Sequence, residues 1–486
     1  MAPPASRAAV WGLMGAVSAA GARCPCHAPA VSKVLKRHAP GCSHSHHKHD
    51  HHQTFATAKE EGDYAFEMAT SSIRYGKGVT KEVGMDLANM RAKKVAVFTD
   101  PNLAELLPVK TTIKSLQDAG VNFVVFDRVR IEPTDGSFQD AINFVRKEQP
   151  DAFVAVGGGS VIDTAKAANL YLCHPEEDFL AFVNAPIGRG KPVYNPVKPL
   201  IAVPTTAGTG SETTGVAIFD YKPQNFKTGI AHRSLKPYLG IVDPLNTRTM
   251  PPQVHVASGL DVLCHSLESY TAIPYTERTP RPKNPIERPA YQGSNPISDM
   301  WSLKSLKMCI DNLHRAYKNP DDHQAQEQMI LASTFAGIGF GNAGVHLCHG
   351  MSYPIAGGVK NYKHKGYKVD HNIVPHGISV AVTSPAVFKF TAPACPERHL
   401  EAAALFGADV SNAKLADAGP ILSDALRTFL HKLDVPDGLT ALGYDSNDTK
   451  MLVEGTLPQH RVTKLAPKPV DYEVIERLIE DSFKLY

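Results

Sequence analysis

Residues 151–166 read DAFVAVGGGSVIDTAK, and the fold class of this chain follows from them. Residues 152–156 are five apolar residues in a row, which is typical of a strand buried on both faces. The glycines at 157–159 lack side chains, so their backbone N–H groups can approach a phosphate, and a following helix adds the positive end of its dipole. The segment therefore predicts a strand–turn–helix unit that binds nucleotide phosphates; an ordinary tight turn is the alternative.

Other polar residues extend this nucleotide-binding prediction. Ser160 and Asp163 open the predicted helix, where they can cap it or contact a ligand. A second Gly-rich loop, VPTTAGTGSET at residues 203–213, offers hydroxyls and amides that suit a nucleotide, although a solvent-facing loop fits equally. Asp100 ends an earlier strand, where it can accept hydrogen bonds from a ribose or cap the next helix. Residues 339–344 match G-x-G-x-x-G but follow a helix, so we reject them as the dinucleotide site.

Short β-branched runs alternate with helix-length segments in the first half of the body. The predicted strands cover residues 94–100, 121–127, 152–156, 200–203, 216–220 and 239–242. Helix-length segments at residues 101–120 and 137–148 separate the first three strands. This alternation implies right-handed crossovers and a mostly parallel sheet.

The pattern becomes helical after residue 244. Long helical periods cover residues 254–271, 297–317, 324–340, 376–390, 397–406, 414–433 and 472–486, and a Pro-rich polar stretch at 273–296 predicts a loop. We therefore predict an α/β dinucleotide-binding domain over residues 54–245 and an all-α metal-binding and catalytic domain over residues 246–486.

The first fifty residues have a different composition. Residues 1–49 contain six Lys or Arg and no Asp or Glu, and the apolar run at 8–22 is too short to span a bilayer. A basic, acid-free, Ala- and Ser-rich segment is typical of a mitochondrial transit peptide, with a secretory signal as the alternative. Residues 44–52, HSHHKHDHH, can bind metals loosely or serve as a spacer. We predict that residues 1–53 are a transit peptide and His-rich spacer of a matrix protein.

Composition limits the kinds of partner. Of the 486 residues, 43% are hydrophobic and 20% are charged, which excludes disorder over most of the chain. Lys and Arg number 51 against 48 Asp and Glu, a balance that argues against a nucleic-acid binder. We expect small-molecule substrates, no nucleic acid and no membrane span, and a homo-oligomer stays open.

One acid and three histidines form a candidate metal site in the helical half. Asp261 and His265 are four residues apart, so they share one face of a helix. His349 and His376 each precede a glycine, which we expect to leave room for a metal or substrate beside the imidazole. Together the four supply three nitrogens and one oxygen, a set that suits Fe(II) or Zn and leaves a position for a substrate oxygen. Local hydrogen bonding and structural histidines are the alternative.

These motifs occur together, in the same order, in the iron-containing alcohol dehydrogenase family, which the chain resembles over roughly residues 70–486. Four further segments resemble its hydroxyacid-oxoacid transhydrogenase branch: YAFEMA at 64–69, TKEVGMDL at 80–87, RPAYQGSNP at 288–296 and GNAGVHLCHGMSYP at 341–354. The resemblance implies the dehydroquinate synthase-like fold of the family. It also implies oxidation of 4-hydroxybutyrate to succinic semialdehyde with reduction of 2-oxoglutarate to D-2-hydroxyglutarate.

The resemblance further implies the cofactors and the residues that hold them. The cofactors would be an NAD(H) that stays bound and a divalent metal, Fe(II) or Zn. Phosphate contacts would come from Gly157, Gly158, Gly159, Ser160 and Asp163, further cofactor contacts from Asp100, Thr205, Thr206, Thr209 and Lys227, and metal ligands from Asp261, His265, His349 and His376. Tyr353 stands where many relatives have a second histidine thought to help shuttle the proton, so we count it among the candidate catalytic residues.

Two questions stay open from the residues. The substrate carboxylates need a cation, and we hypothesise that Lys360, Lys363, Lys365 and Lys368 help because they lie between two predicted metal ligands; a solvated loop is the alternative. The same motifs also fit an NAD-linked alcohol dehydrogenase that releases NADH, or a dehydroquinate-synthase-like lyase that uses NAD transiently.

Overall fold

Strands joined by helices make up the first half of the folded chain. The computed structural model describes residues 61–224 and 226–486, so the predicted transit peptide and His-rich spacer lie outside the described residues. The strands are β1 (Ser72–Tyr75), β2 (Val95–Phe98), β3 (Phe123–Phe126), β4 (Ala152–Gly157), β5 (Leu200–Pro204), β6 (Val216–Tyr221), β7 (Phe226–Ala231) and β8 (Leu239–Val242). The helices between them are α1 (Val83–Asn89), α2 (Leu107–Asp118), α3 (Asp135–Glu148) and α4 (Gly159–Cys173).

Six of these strands form one parallel sheet in the order β1-β8-β5-β4-β2-β3. Each of the six strands predicted from the sequence forms. β6, however, leaves the main sheet and pairs antiparallel with β7, because the connection at residues 222–225 is too short for a parallel crossover. The strands β1 and β7 were not predicted. Their sequences, SIRY and FKTGIA, contain polar residues that are not typical of a buried strand.

Alternate side chains of the central strands enter two separate cores. Phe98 and Phe153 face the layer formed with α3 and α4, whereas Val97 and Val154 face the layer formed with α1 and α2. All residues of β4 are buried, as expected for a strand covered on both faces. The carboxyl ends of β4 and β5 therefore carry the two Gly-rich loops to the same edge of the sheet.

The second half of the chain is helical. Its helices are α5 (Pro252–Thr271), α6 (Pro296–Lys318), α7 (His323–Ala343), α8 (Leu347–Gly357), α9 (His376–Ala381), α10 (Ser384–Thr391), α11 (Pro396–Leu405), α12 (Ala418–Lys432), α13 (Gly438–Ala441), α14 (Thr449–Thr456), α15 (His460–Thr463) and α16 (Tyr472–Glu480). The helical period at 376–390 divides into two helices, because Pro385 in the first turn of α10 cannot donate a backbone hydrogen bond to a preceding turn. The boundaries of the two domains stay a prediction.

Two features of the helical half bear on earlier expectations. Residues 339–344 form the C-terminal end of α7 and the glycine that follows it, so the G-x-G-x-x-G match has no strand before it. Within the described part of the chain, no single helix is long and apolar enough to cross a membrane. The pair α7 and α8 meets that test together by length and composition alone, with a bend of 105° between them.

Candidate active site

The four predicted metal ligands meet around one carboxylate oxygen. α5 supplies Asp261 and His265, α8 supplies His349, and α9 begins with His376. The Nε2 atoms of the three histidines lie 3.3, 3.4 and 3.7 Å from Asp261 Oδ1, for His265, His349 and His376 respectively. Three helices from separate parts of the sequence therefore bring three imidazole nitrogens to within 3.7 Å of one carboxylate oxygen.

Buried polar atoms in this cluster have no partner among the described residues. Asp261 Oδ1, His349 Nε2 and His265 Nδ1 are shielded from solvent and make no hydrogen bond. Leaving such atoms unpaired is costly, and a cation between Asp261 Oδ1 and His349 Nε2 would satisfy those two atoms. Ligand atoms of Asp261, His349 and His376 lie within 4.8 Å of one another. His265 stands outside this triplet, and its ring stacks on Phe340 with 3.7 Å between centroids.

The electrostatics favour the protonation states that a metal ion needs at three of the four cluster residues. Burial alone would raise the pKa of Asp261, but the neighbouring His265 and His376 lower it to about 2. Burial lowers the pKa of His265 to about 3 and also lowers the pKa of His376. Burial alone would lower the pKa of His349, but Glu268 and Asp261 raise it well above its usual value. At neutral pH the cluster therefore presents a charged carboxylate, neutral His265 and His376, and a protonated His349 that must release a proton when it binds a cation.

Glu268 orients His349 and was missed by sequence reasoning. This wholly buried carboxylate lies on α5, seven residues after Asp261 and therefore on the same face. It accepts a hydrogen bond from Nδ1 of His349 and another from the backbone N–H of Cys348 at 2.7 Å. Because a carboxylate only accepts, Nδ1 of His349 keeps its proton, and Nε2, which faces Asp261, is the nitrogen that can lose its proton and bind a cation. The signal in the sequence was the spacing of seven residues between Asp261 and Glu268, which places both acids on one face of the helix.

We expect Glu268→Gln to weaken metal binding by about 10- to 100-fold, because the amide can no longer fix the orientation and basicity of His349. Titration of the metal-free protein against a chelator of known affinity measures this. Glu327→Gln on α7 is the control, since its carboxylate pairs with Lys77 and does not contact the cluster. Equal metal affinities in the two variants would contradict the role of Glu268.

The glycines after His349 and His376 do not leave space for a ligand, so that expectation is wrong. A Cβ on Gly377 would lie 1.8 Å from the carbonyl oxygen of Ala257 in α5. A Cβ on Gly350 would lie 3.0 Å from Cγ2 of Thr463. Protein atoms occupy both positions. The glycines serve to bring the helices that carry the histidines close to their neighbours.

Two adjoining cavities meet at the cluster. The larger, of about 470 Å³, is lined by Asp100, Gly158, Gly159, Ser160, Thr205, Thr206 and Thr209, among others. The smaller, of about 110 Å³, is lined by the four cluster residues together with Asp163, Lys227, Tyr353 and Arg461, among others. Asp261 and His376 line both cavities. The cluster therefore stands at the junction between a large elongated space and a small one.

The glycine turn brings the two Gly-rich loops into contact. A Cβ on Gly159 would lie 2.6 Å from Cγ2 of Thr209, and a Cβ on Gly158 would lie 3.1 Å from Cγ2 of Thr206. Gly157 is required inside the turn, where a Cβ would lie 2.4 Å from Cγ2 of Val161. The open N-terminus of α4 thus faces the larger cavity with backbone N–H groups that suit a phosphate.

Asp163 and Lys227 line the smaller cavity rather than the larger one. Asp163 accepts hydrogen bonds from the Ser211 hydroxyl at 2.6 Å and from the Ile218 N–H at 2.9 Å. Lys227 pairs with Asp220 at 2.8 Å and with Glu132. Both charged groups are engaged with protein partners, and their contact with a cofactor stays a prediction.

Tyr353 lies one turn after His349 on α8 and is buried at the wall of the smaller cavity. Its hydroxyl accepts a hydrogen bond from Nη2 of Arg461. Its part in moving a proton stays a prediction. Arg461 itself, on α15, was not identified from the sequence, because an isolated arginine in a polar segment has no local pattern that marks it.

Comparisons with known proteins show the family of this chain. A family model described as iron-containing alcohol dehydrogenase matches residues 70–244, and the model of the C-terminal part of the Fe-containing alcohol dehydrogenase family matches residues 286–483. The mitochondrial hydroxyacid-oxoacid transhydrogenase of Rattus norvegicus is 60% identical over 482 residues, 99% of each chain. The chain belongs to the iron-containing alcohol dehydrogenase family. The Homo sapiens protein of the same name is 58% identical over 482 residues, again 99% of each chain.

Solved structures of this family share the fold. The crystal structure of a 1,3-propanediol oxidoreductase superposes with a TM-score of 0.74 and 26% identity, covering 86% of this chain and all of the other. The predicted fold class, an α/β domain followed by a helical one in the manner of iron-containing alcohol dehydrogenases, is thereby confirmed.

Proposed function

We propose that this protein is a mitochondrial hydroxyacid-oxoacid transhydrogenase. It would oxidise 4-hydroxybutyrate to succinic semialdehyde and reduce 2-oxoglutarate to D-2-hydroxyglutarate by way of a nicotinamide cofactor that stays bound. The observation that carries the proposal is the position of the acid–histidine cluster at the junction of the two cavities. A substrate in the small cavity and a dinucleotide in the large one would meet there. Near-full-length relatives with this printed name support the choice of reaction.

The residues fit a divalent metal, Fe(II) or Zn. Asp261, His265, His349 and His376 would hold it, since the partnerless buried atoms of the cluster are a carboxylate oxygen and imidazole nitrogens. When bound, such an ion acts as a Lewis acid toward the substrate oxygen. Glu268 holds His349 in the tautomer that binding requires.

The protein's own residues would place the reactants. Gly158, Gly159 and Ser160 would hold the dinucleotide phosphates at the N-terminus of α4, and Asp261 and His376 line the same cavity. Phe340 and Val345 supply apolar wall to the smaller cavity, which keeps water from the reacting carbon. Because both reactants would be bound in one orientation, their translational and rotational entropy would be lost on binding and not in the reaction step. Tyr353 would exchange the hydroxyl proton, because its oxygen already accepts from Arg461 and its own O–H is free to donate.

A cofactor-free assay tests the reaction. Purified protein would receive 4-hydroxybutyrate and 2-oxoglutarate with no added NAD, and chromatography would measure both products. Equal amounts of succinic semialdehyde and 2-hydroxyglutarate are expected. NADH release on adding NAD, without oxoacid reduction, would instead establish an ordinary dehydrogenase. Gly159→Val is a useful control, since its side chain would collide with Thr209 and it should form neither product.

Location in the mitochondrial matrix is part of the proposal. Residues 1–49 contain no acid, and the relatives from rat and human are named mitochondrial. Import of a reporter fused to residues 1–53 into isolated mitochondria tests this, and a reporter left outside the organelle would overturn it.

A further inference from the structure

We infer that Arg461 is the site that binds the substrate carboxylate, so that the smaller cavity selects short hydroxyacids and oxoacids over neutral alcohols. This inference rests on the proposed function and deepens it by naming the group that recognises the acid. It assigns the two ends of the substrate to two walls of one cavity: the reacting oxygen to the acid–histidine cluster, and the carboxylate to α15.

The guanidinium of Arg461 has one nitrogen available for a ligand. Arg461 lines the same cavity as Asp261 and His349. Its Nη2 donates to the Tyr353 hydroxyl, and its Cζ lies 5.0 Å from the centroid of the Tyr291 ring. Its Nη1 is shielded from solvent and has no hydrogen-bond partner among the described residues. The two tyrosines thus fix the plane of the guanidinium and leave Nη1 unsatisfied.

The charge of Arg461 has no counter-ion in the described residues. Burial lowers its pKa, but Tyr353 and Tyr291 raise it further, so the guanidinium stays charged. No carboxylate lies within 4.0 Å of it in the part of the chain that the structure describes. Arg461 is only partly exposed, and arginines in such positions are usually paired, because an unpaired charge withdrawn from water is costly. A carboxylate entering the cavity would supply the missing anion.

Lys227, another cation on the wall of this cavity, is already neutralised. It pairs with Asp220 at 2.8 Å and with Glu132, which holds its pKa above the usual range although burial lowers it. An added carboxylate would meet two negative groups there. Arg461 meets none, and the planar fork of a guanidinium matches a carboxylate better than an ammonium does.

The lysines hypothesised from the sequence occupy less suitable positions. Lys360 is exposed and pairs with Asp448 at 2.7 Å. Lys363 and Lys365 are exposed to solvent, where a charge pair gains little. Lys368 is exposed and lines the larger cavity. Arg461 is the better candidate because it shares the smaller cavity with the cluster and its Nη1 atom is shielded from solvent.

Two measurements on the holoenzyme test the inference. Calorimetry compares binding of butyrate with binding of butyramide, its uncharged isostere, and neither can be oxidised at the reacting position. Steady-state kinetics measure KM and kcat for 4-hydroxybutyrate. We expect Arg461→Gln to abolish the preference for butyrate and to raise KM by about 10- to 100-fold with a smaller change in kcat, since the lost contact is to the non-reacting end. Arg461→Lys should restore part of both.

Lys464→Gln is the matched control, because it removes one positive charge from an exposed side chain three residues away. It should behave as the unmodified protein. Tyr353→Phe is the second variant if Arg461→Gln does not fold. It removes the hydroxyl that accepts from Nη2, so the guanidinium keeps its charge but loses its fixed orientation, and the preference for butyrate should fall. An Arg461→Gln protein that still prefers butyrate overturns the inference. Loss of preference only when the four lysines at 360, 363, 365 and 368 are replaced would assign the carboxylate to them.

The outcomes separate this inference from the proposed function. Butyrate binding that depends on Arg461, in a protein that forms no products from hydroxyacid and oxoacid, would support the carboxylate site and overturn the reaction. Transhydrogenation that is indifferent to Arg461→Gln would support the reaction and overturn the carboxylate site.

Discussion

Asp261→Asn is expected to lower kcat/KM by about a thousandfold and to leave the purified protein almost free of metal. Asp261 Oδ1 is the atom on which the three imidazole Nε2 atoms converge, at 3.3 to 3.7 Å. An amide supplies no charge there, and its NH₂ group can donate to a neighbouring imidazole and so take the place of the cation. The loss corresponds to several kcal/mol of charge stabilisation at the substrate oxygen. Metal content by mass spectrometry and steady-state kinetics measure both effects.

Asp299→Asn is the control for this experiment. Asp299 lies on the neighbouring helix α6, and its carboxylate pairs with Arg398 at 2.8 Å, away from the cluster. This variant should retain both metal and activity. An Asp261→Asn protein with full metal content would show that the cluster is not the metal site. Circular dichroism separates metal loss from unfolding, and an unchanged spectrum is expected because the buried amide can still form hydrogen bonds.

Gly377→Ala is expected to lower activity by about 100-fold although it adds only one methyl group. Its Cβ would lie 1.8 Å from the Ala257 carbonyl oxygen and 3.0 Å from the Asp261 backbone nitrogen. α9 must therefore move away from α5, and it takes the adjacent His376 with it. A displacement of about 1 Å at a reacting centre can cost about 10² in rate. The strained contact should also destabilise the fold by about 1–3 kcal/mol.

Gly136→Ala provides the matched substitution. Gly136 is helical, and the nearest atom to its Cβ would be Oγ1 of Thr134 at 3.8 Å, an ordinary contact. This variant should keep full activity and unfold at the same temperature or slightly higher, because alanine favours a helix over glycine. Thermal unfolding and kinetics on the two variants measure the difference. Full activity in Gly377→Ala would show that the approach of α9 to α5 does not position His376.

Local pattern was enough to predict the sheet and much of the site. Strand β4 and helix α4 were visible as an apolar run, a glycine turn and a helical period, because each depends on neighbours in sequence. Asp261 and His265 were paired by their spacing on one helix. The family motifs added His349 and His376, and the structure brings both to the same carboxylate oxygen.

Errors arose where the environment of a residue comes from distant parts of the chain. The room beside Gly377 is taken by α5, which lies more than a hundred residues earlier in the sequence. The sequence of β6 predicts a strand of the main parallel sheet, but β6 pairs antiparallel with β7 instead. The partner of a strand depends on the length of the connection that follows it and not on the sequence of the strand itself. The hypothesis that clustered lysines bind the substrate carboxylate stays a prediction, and the structure shows that Lys360, Lys363, Lys365 and Lys368 are exposed to solvent.

The sequence by itself determined the strand–helix order and the glycine turn before α4, and it predicted the acid and histidines of the cluster, because these depend on residue type and short-range periodicity. Only the tertiary structure decided that Glu268 fixes the tautomer of His349, and that Arg461 lies in the same cavity as Asp261 without a counter-ion. Burial and the absence of a nearby partner are properties of packing between separate helices. No local pattern around a single glutamate or arginine contains them.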